Sequence, residues 1–126
     1  MIGVHEAMKE SAELKVLIDV SIEGWRFVRV FNRLAERLEL NEVARYTNQA
    51  RYFLRKVDDG LKPFGLRIVS VEGQIYDPGM AISALNLADF GPEDTLVVEQ
   101  MLEPIIMGPD GLVRGGTVML MKAEQA

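Results

Sequence analysis

The chain has no cysteine among its 126 residues, a single histidine and a single tryptophan. It also has no apolar run approaching the roughly 20 residues that span a bilayer. Each absence closes off a class of function. Without thiols there is neither a disulfide nor thiol redox chemistry, which suits a reducing compartment and leads to the expectation of a cytoplasmic protein. With His5 as the sole imidazole, a structural zinc site has no suitable ligand set. Basic clusters are missing too. The 14 Lys and Arg against 19 Asp and Glu leave a net charge of −5, and nucleic acid or anionic lipid would require a basic face. Residues Met1 to Glu6 lack a basic segment followed by an apolar one, so no secretory leader is expected there.

Catalytic constellations are equally scarce. There is no Gly-rich loop with Lys and Ser/Thr, no nucleophile elbow and no Cys/His dyad. Gly111, Gly115 and Gly116 surround Arg114, but no helix follows to hold a phosphate by its dipole. Glu72 and Asp77 read as ordinary surface acids at a turn. Neither an enzymatic role nor a cofactor or metal is expected.

What is present is a change of periodicity. From about Glu6 to Glu39 there is no proline, and Leu14, Leu17, Ile18, Trp25, Val28, Phe31, Ala35 and Leu38 fall near helical spacing. Val16, Val20, Phe27, Val30 and Leu34 make a second apolar line, so the helix is expected to pack on two sides. Residues 14–23 also alternate β-branched with polar side chains, a strand pattern, and Gly24 disfavours a helix; helix is preferred and strand is the alternative. Asn41 is the expected N-cap of a second helix with the stripe Val43, Tyr46, Ala50, Phe53, Leu54, Val57 and Leu61, stopped by Pro63 and Gly65. Beyond Gly65 the pattern is that of strands and turns. A strand is expected over Leu66–Val71, strand or short helix over Met80–Ala88, a strand over Thr95–Leu102 broken by Pro104, a hairpin tip at Gly108–Gly111, a closing strand over Thr117–Lys122, and fraying at residues 123–126.

One string in this second half is distinctive: Phe64, Gly65, then Glu72, Gly73, Gln74, Ile75, Tyr76, Asp77, Pro78, then Thr95 to Glu99, and finally Leu112, Val113, Arg114, Thr117 and Val118. It resembles the C-terminal β-domain of GrpE, the nucleotide exchange factor of Hsp70 chaperones, over about half the chain. The resemblance implies an α+β fold: a helical hairpin over residues 1–64 that forms a dimeric four-helix bundle, followed by a GrpE-like β-domain over residues 65–126. It implies a co-chaperone that binds the nucleotide-binding domain of an Hsp70-like ATPase and promotes ADP release by favouring the open form. The alternative is a GrpE-derived adaptor or structural subunit docking to a different protein.

The resemblance assigns candidate residues. Gly73, Tyr76, Asp77 and Pro78 form the β-domain signature, whose bland reading is a turn anchored by an aromatic residue. Arg114, with Met107, Gly108, Pro109 and Asp110 of the adjacent hairpin, is the expected partner contact, Arg114 as an exposed donor to a partner carboxylate. Leu14, Ile18, Trp25, Val28, Phe31, Phe53 and Leu54 are the expected dimer interface. Met101, Met107, Met119 and Met121 could serve as an adaptable surface, though core packing is preferred. The sequence departs from the family at Ala81, where a His is common, at Pro104 and Ile105 in place of a Gly and aromatic pair, and at Gly111 where many relatives are basic. The stalk before Asn41 is also short, about 50 Å at 1.5 Å per residue.

Overall fold

In the computed structural model, which describes residues 11–126, the chain divides into two units, Met1–Gly65 and Leu66–Ala126. His5 and the start of the expected first helix lie outside the described residues. The described fold is α+β, with two helices and two three-stranded sheets.

Helix α1 spans Ala12–Ala35. Its N-cap is Ser11, whose Oγ accepts a hydrogen bond from the Leu14 N–H at 3.1 Å, a cap of the kind that contributes about 1 kcal/mol. Residues 14–23 are therefore helical. Their β-branched alternation places Ile18 inside, 0% exposed, and leaves Val16 and Val20 at 60% and 63%. The buried row Leu14, Ile18, Ser21, Trp25, Val28 and Ala35 advances in steps of four and three, the period of a coiled-coil seam. Asn32 sits on the same row. Its Oδ1 is buried without a hydrogen-bond partner among the described residues, a second polar position in the seam beside Ser21.

The first helix stops at Ala35, short of the expected Glu39. The Arg37 and Leu38 N–H groups bond back to the carbonyls of Leu34 and Ala35, tightening the last turn. Helix α2, Leu40–Leu61, begins one residue before the expected cap. Its N-cap is Glu39, with no side-chain bond, and Asn41 lies within the first turn. The reason is that the Glu39 carbonyl already accepts from both Glu42 and Val43 N–H. In α2 the row Val43, Thr47, Ala50, Leu54, Val57, Leu61 repeats the four-three stepping, half-buried or buried throughout. The two helices pack as an antiparallel hairpin, locked beside the seam by Phe31 edge-on to Tyr46 at 6.2 Å between ring centroids. Gly24 also serves this packing, since a Cβ there would lie 3.0 Å from the Phe53 ring. A 3-10 turn over Lys62–Phe64 and the left-handed Gly65 (φ 71°) end the unit, where Pro63 and Gly65 were expected to do so.

The second unit contains β1 (Arg67–Val69), β2 (Ile82–Ala84), β3 (Leu96–Glu103), β4 (Ile105–Gly108), β5 (Gly111–Arg114) and β6 (Gly116–Lys122). One sheet has the order β1-β4-β5, all antiparallel, and the other β2-β6-β3, with β2 parallel to β6. Met80–Ala88 resolves into both expected alternatives, strand β2 followed shortly by a 3-10 turn at Leu87–Asp89. Val98, Met101, Ile106, Val118 and Leu120 are at most 2% exposed. Pro104, fully buried between β3 and β4, marks the switch from one sheet to the other, where a ladder N–H is not needed. Gly116 is required by close approach: a Cβ there would meet Met101 Cε at 2.7 Å and the Glu103 carbonyl oxygen at 2.9 Å.

Two side chains act as pieces of backbone. Asn86 donates to the Leu120 carbonyl at 2.9 Å and accepts from the Leu120 N–H at 2.9 Å, continuing the β2–β6 ladder two positions beyond its last pair, Ala84 with Val118. Glu72 Oε2 accepts from the Met101 N–H at 2.6 Å, at a stretch of β3 where the register with β6 shifts. The last residues are not frayed as expected. They form a 3-10 turn, Ala123–Gln125, held by the Ala123 N–H on the Thr95 carbonyl at 2.8 Å and by the Gln125 side chain on the Lys122 N–H.

Candidate interaction surfaces

The helical unit keeps one apolar row for itself and exposes another. Val16, Val20, Phe27, Val30 and Leu34 are 51% to 67% exposed, and with Glu23 they too step by four and three along α1. On α2, Phe53 is 45% exposed. Between these rows a cleft of about 210 Å³ is lined by Phe27, Val28, Phe31, Gln49, Ala50 and Phe53, almost without polar surface. The expected interface residues therefore separate into three sets. Leu14, Ile18, Trp25 and Val28 are buried within the chain, Phe31 and Leu54 are half-buried, and Phe53 is exposed. Trp25 is a packing residue, with the Arg29 guanidinium 4.8 Å from its ring centroid. The surface open to a partner is the second apolar line of α1, together with Phe53.

In the β-unit the expected contact residues share one hairpin. Met107 pairs with Leu112, Gly108 with Gly111, and Ile106 with Arg114, across a tip made of Pro109 and Asp110. Pro109, Asp110 and Leu112 are exposed, the last at 54%. Arg114 is half-buried, against the expectation of an exposed donor. Gly111 has φ +119°, a conformation that disfavours the basic residue common among GrpE proteins at this place.

The signature residues form a separate turn. Asp77 Oδ1 accepts from the Gly79 N–H at 3.0 Å, the Asp77 carbonyl accepts from the Met80 N–H at 2.9 Å, and the Asp77 N–H points to Met80 Sδ at 3.2 Å. Pro78 is exposed and Tyr76 half-buried, so Tyr76 is both an anchor and part of the surface. Gly73 takes φ +82°, the left-handed conformation that lets the chain turn onto β3. Of the positions where the sequence departs from the GrpE pattern it resembles, Ile105 and Pro104 are buried and Ala81 is half-buried. They bear on packing more than on the surface. Among the methionines, Met101 is core at 0% exposure, while Met107, Met119 and Met121 are half-buried.

Among the described residues no group of His, Asp and Glu is arranged to hold a metal ion, and no helix is long and apolar enough to cross a membrane. The bond from Glu72 to Met101 and the paired bonds of Asn86 were not anticipated from the sequence. No family model, no curated protein and no solved structure matches the chain.

Proposed function

We propose that the chain is a GrpE-like co-chaperone that promotes ADP release from an Hsp70-like ATPase, acting as a cytoplasmic homodimer. The observation that carries this reading is the hairpin β4–β5, which brings Met107, Gly108, Pro109, Asp110 and Arg114 together with the exposed Leu112. A half-buried Arg is well placed for the task, because a guanidinium partly desolvated before binding loses less hydration when it meets a carboxylate. The dimer is supported by the row Val16, Val20, Phe27, Val30 and Leu34. Burying one such side chain contributes about 1.5 to 3 kcal/mol, so a second copy covering the row would bind firmly.

The test is release of a fluorescent ADP analogue from the Hsp70-like ATPases of the same host. The expected result is acceleration by the parent protein, with affinity reduced about thirtyfold in Arg114→Ala. Arg55→Ala, on an exposed position of α2, should behave as the parent. Light scattering after gel filtration checks the dimer, which Phe27→Glu with Val30→Glu should convert to monomer. A parent protein of about 14 kDa in solution would reject the helical dimer.

One observation favours the adaptor reading. Gly111, with φ +119°, replaces the basic residue of many GrpE proteins by a backbone conformation that does not readily accept one. An adaptor would leave ADP release unchanged with every Hsp70-like ATPase of the host, and that outcome separates the two readings.

A further inference from the structure

A second surface of the β-unit, away from the β4–β5 hairpin in sequence, is not used by the exchange reading. Residues 73–76 run antiparallel beside β3. The Gly73 N–H donates to the Val98 carbonyl at 2.8 Å, the Tyr76 N–H to the Leu96 carbonyl at 2.8 Å, and the Val98 N–H to the Gln74 carbonyl at 2.9 Å. Ile75 sits opposite Val97 between these bonds. In an antiparallel ladder the residue so placed belongs to a non-hydrogen-bonded pair, and its own N–H and C=O point away from the neighbouring strand. Those of Ile75 make no hydrogen bond within the described residues. The residue itself is 66% exposed.

Alongside lies a groove of about 460 Å³ lined by Ile75, Tyr76, Pro78, Leu87, Pro92 and Leu96, with Asp94 also in its wall. Leu87 is 46% exposed. An outward donor and acceptor at an open sheet edge, next to an apolar groove, are the two elements that accept an added strand. The charge of the surroundings decides which strand. Between Arg67 and Arg114 the chain contains no Lys or Arg, while Glu72, Asp77, Asp89, Glu93, Asp94 and Glu99 all fall in that stretch. Lys122 lines a small polar pocket together with Glu93, Asp94 and Glu124, so three carboxylates surround that cation, and Asp94 is shared with the groove.

We propose that this edge docks an extended, basic segment of another protein. One residue of the segment exchanges both backbone hydrogen bonds with Ile75, an aliphatic side chain enters the groove, and a flanking Lys or Arg faces the carboxylates. The proposal is independent of the Hsp70 reading, since it uses neither Arg114 nor the β4–β5 hairpin.

The test uses the full chain and three labelled probes: a seven-residue peptide alternating lysine and leucine, its counterpart with glutamate for lysine, and the lysine peptide N-methylated at its central leucine. Fluorescence anisotropy measures affinity, and amide shifts in a nitrogen-15 spectrum locate the contact. The expected result is a lysine peptide bound about tenfold more tightly than the glutamate peptide, with the largest shifts at Ile75 and along Leu87–Leu96. N-methylation should weaken it about fivefold through the lost backbone bond. Leu87→Lys, a change at an exposed site whose spectrum reports its own folding, should weaken it about tenfold by adding a like charge and removing the apolar wall. Equal binding of the lysine and glutamate peptides, shifts centred elsewhere, indifference to N-methylation, or no binding at millimolar peptide would each overturn the proposal.

Discussion

The two units use their apolar residues in opposite ways. In α1 the rows alternate around the helix, one buried from Leu14 to Ala35 and another exposed from Val16 to Leu34. In β3 the consecutive residues Leu96, Val97 and Val98 are all buried, so both faces of that strand are covered. A helix in a two-helix hairpin can hide one stripe and leaves the other exposed, whereas β3 buries or half-buries every apolar residue it carries and exposes only Glu99. Charge follows the same division. Residues 66–126 hold nine acidic and three basic side chains, while residues 1–65 hold ten and eleven. The helical unit is thus near neutral with an apolar row outside, and the β-unit is acidic, its core closed but an open edge left at Ile75.

The contrast can be broken most severely in the β-unit. Met101→Ala removes a side chain with no exposure and the Sδ that accepts from the Val71 N–H at 3.2 Å, and should cost about 2 to 5 kcal/mol. Denaturant titration read by circular dichroism should show an early β transition, while fluorescence of Trp25, the single tryptophan and part of the helical unit, unfolds where the parent does. If both signals move together, the units are one cooperative body and the contrast lies within a single core.

Asn86→Leu should cost about 1 to 3 kcal/mol in the same assay, because it strips partners from both the N–H and the C=O of Leu120. A cost within error of zero would mean that water replaces the amide freely. The smallest effect belongs to the helices. Gly24→Ala gains up to about 1 kcal/mol of helix propensity but places a Cβ 3.0 Å from the ring of Phe53, a residue 45% exposed. The ring can swing aside, so a net gain of about 0.5 kcal/mol in the Trp25 transition is expected, and a loss would show that Phe53 is held where it is.

Element types in this chain were legible because the period changes abruptly at Pro63 and Gly65. The limits of the helices were less so. Ala35 and Leu40 bound a connection with neither Gly nor Pro, and the stop comes from backbone bonds at Leu34 and Ala35 that no residue type announces. The dimer candidates followed the strongest helical stripe, and that stripe is the row the hairpin buries for itself; the weaker line was the open one. Pairings distant in sequence were beyond reach. Nothing in the run Leu85, Asn86, Leu87 marks Asn86 as a surrogate backbone for Leu120, and the parallel alignment of β2 with β6, like that bond, joins residues 34 positions apart in the chain. The hairpin at Gly108–Gly111 was legible because its turn residues are local.

The place of β6 in its sheet has a consequence for synthesis. It is the central strand, between β2 and β3, yet it is made after both. The helical hairpin, whose contacts lie close along the chain, can form as soon as Leu61 is free of the ribosome, but β2 and β3 must wait apart until Gly116–Lys122 has emerged. During that interval the nascent chain carries two strands with no centre, in a stretch between Arg67 and Arg114 that holds eight carboxylates and no cation, a charge of one sign that disfavours pairing with a like chain.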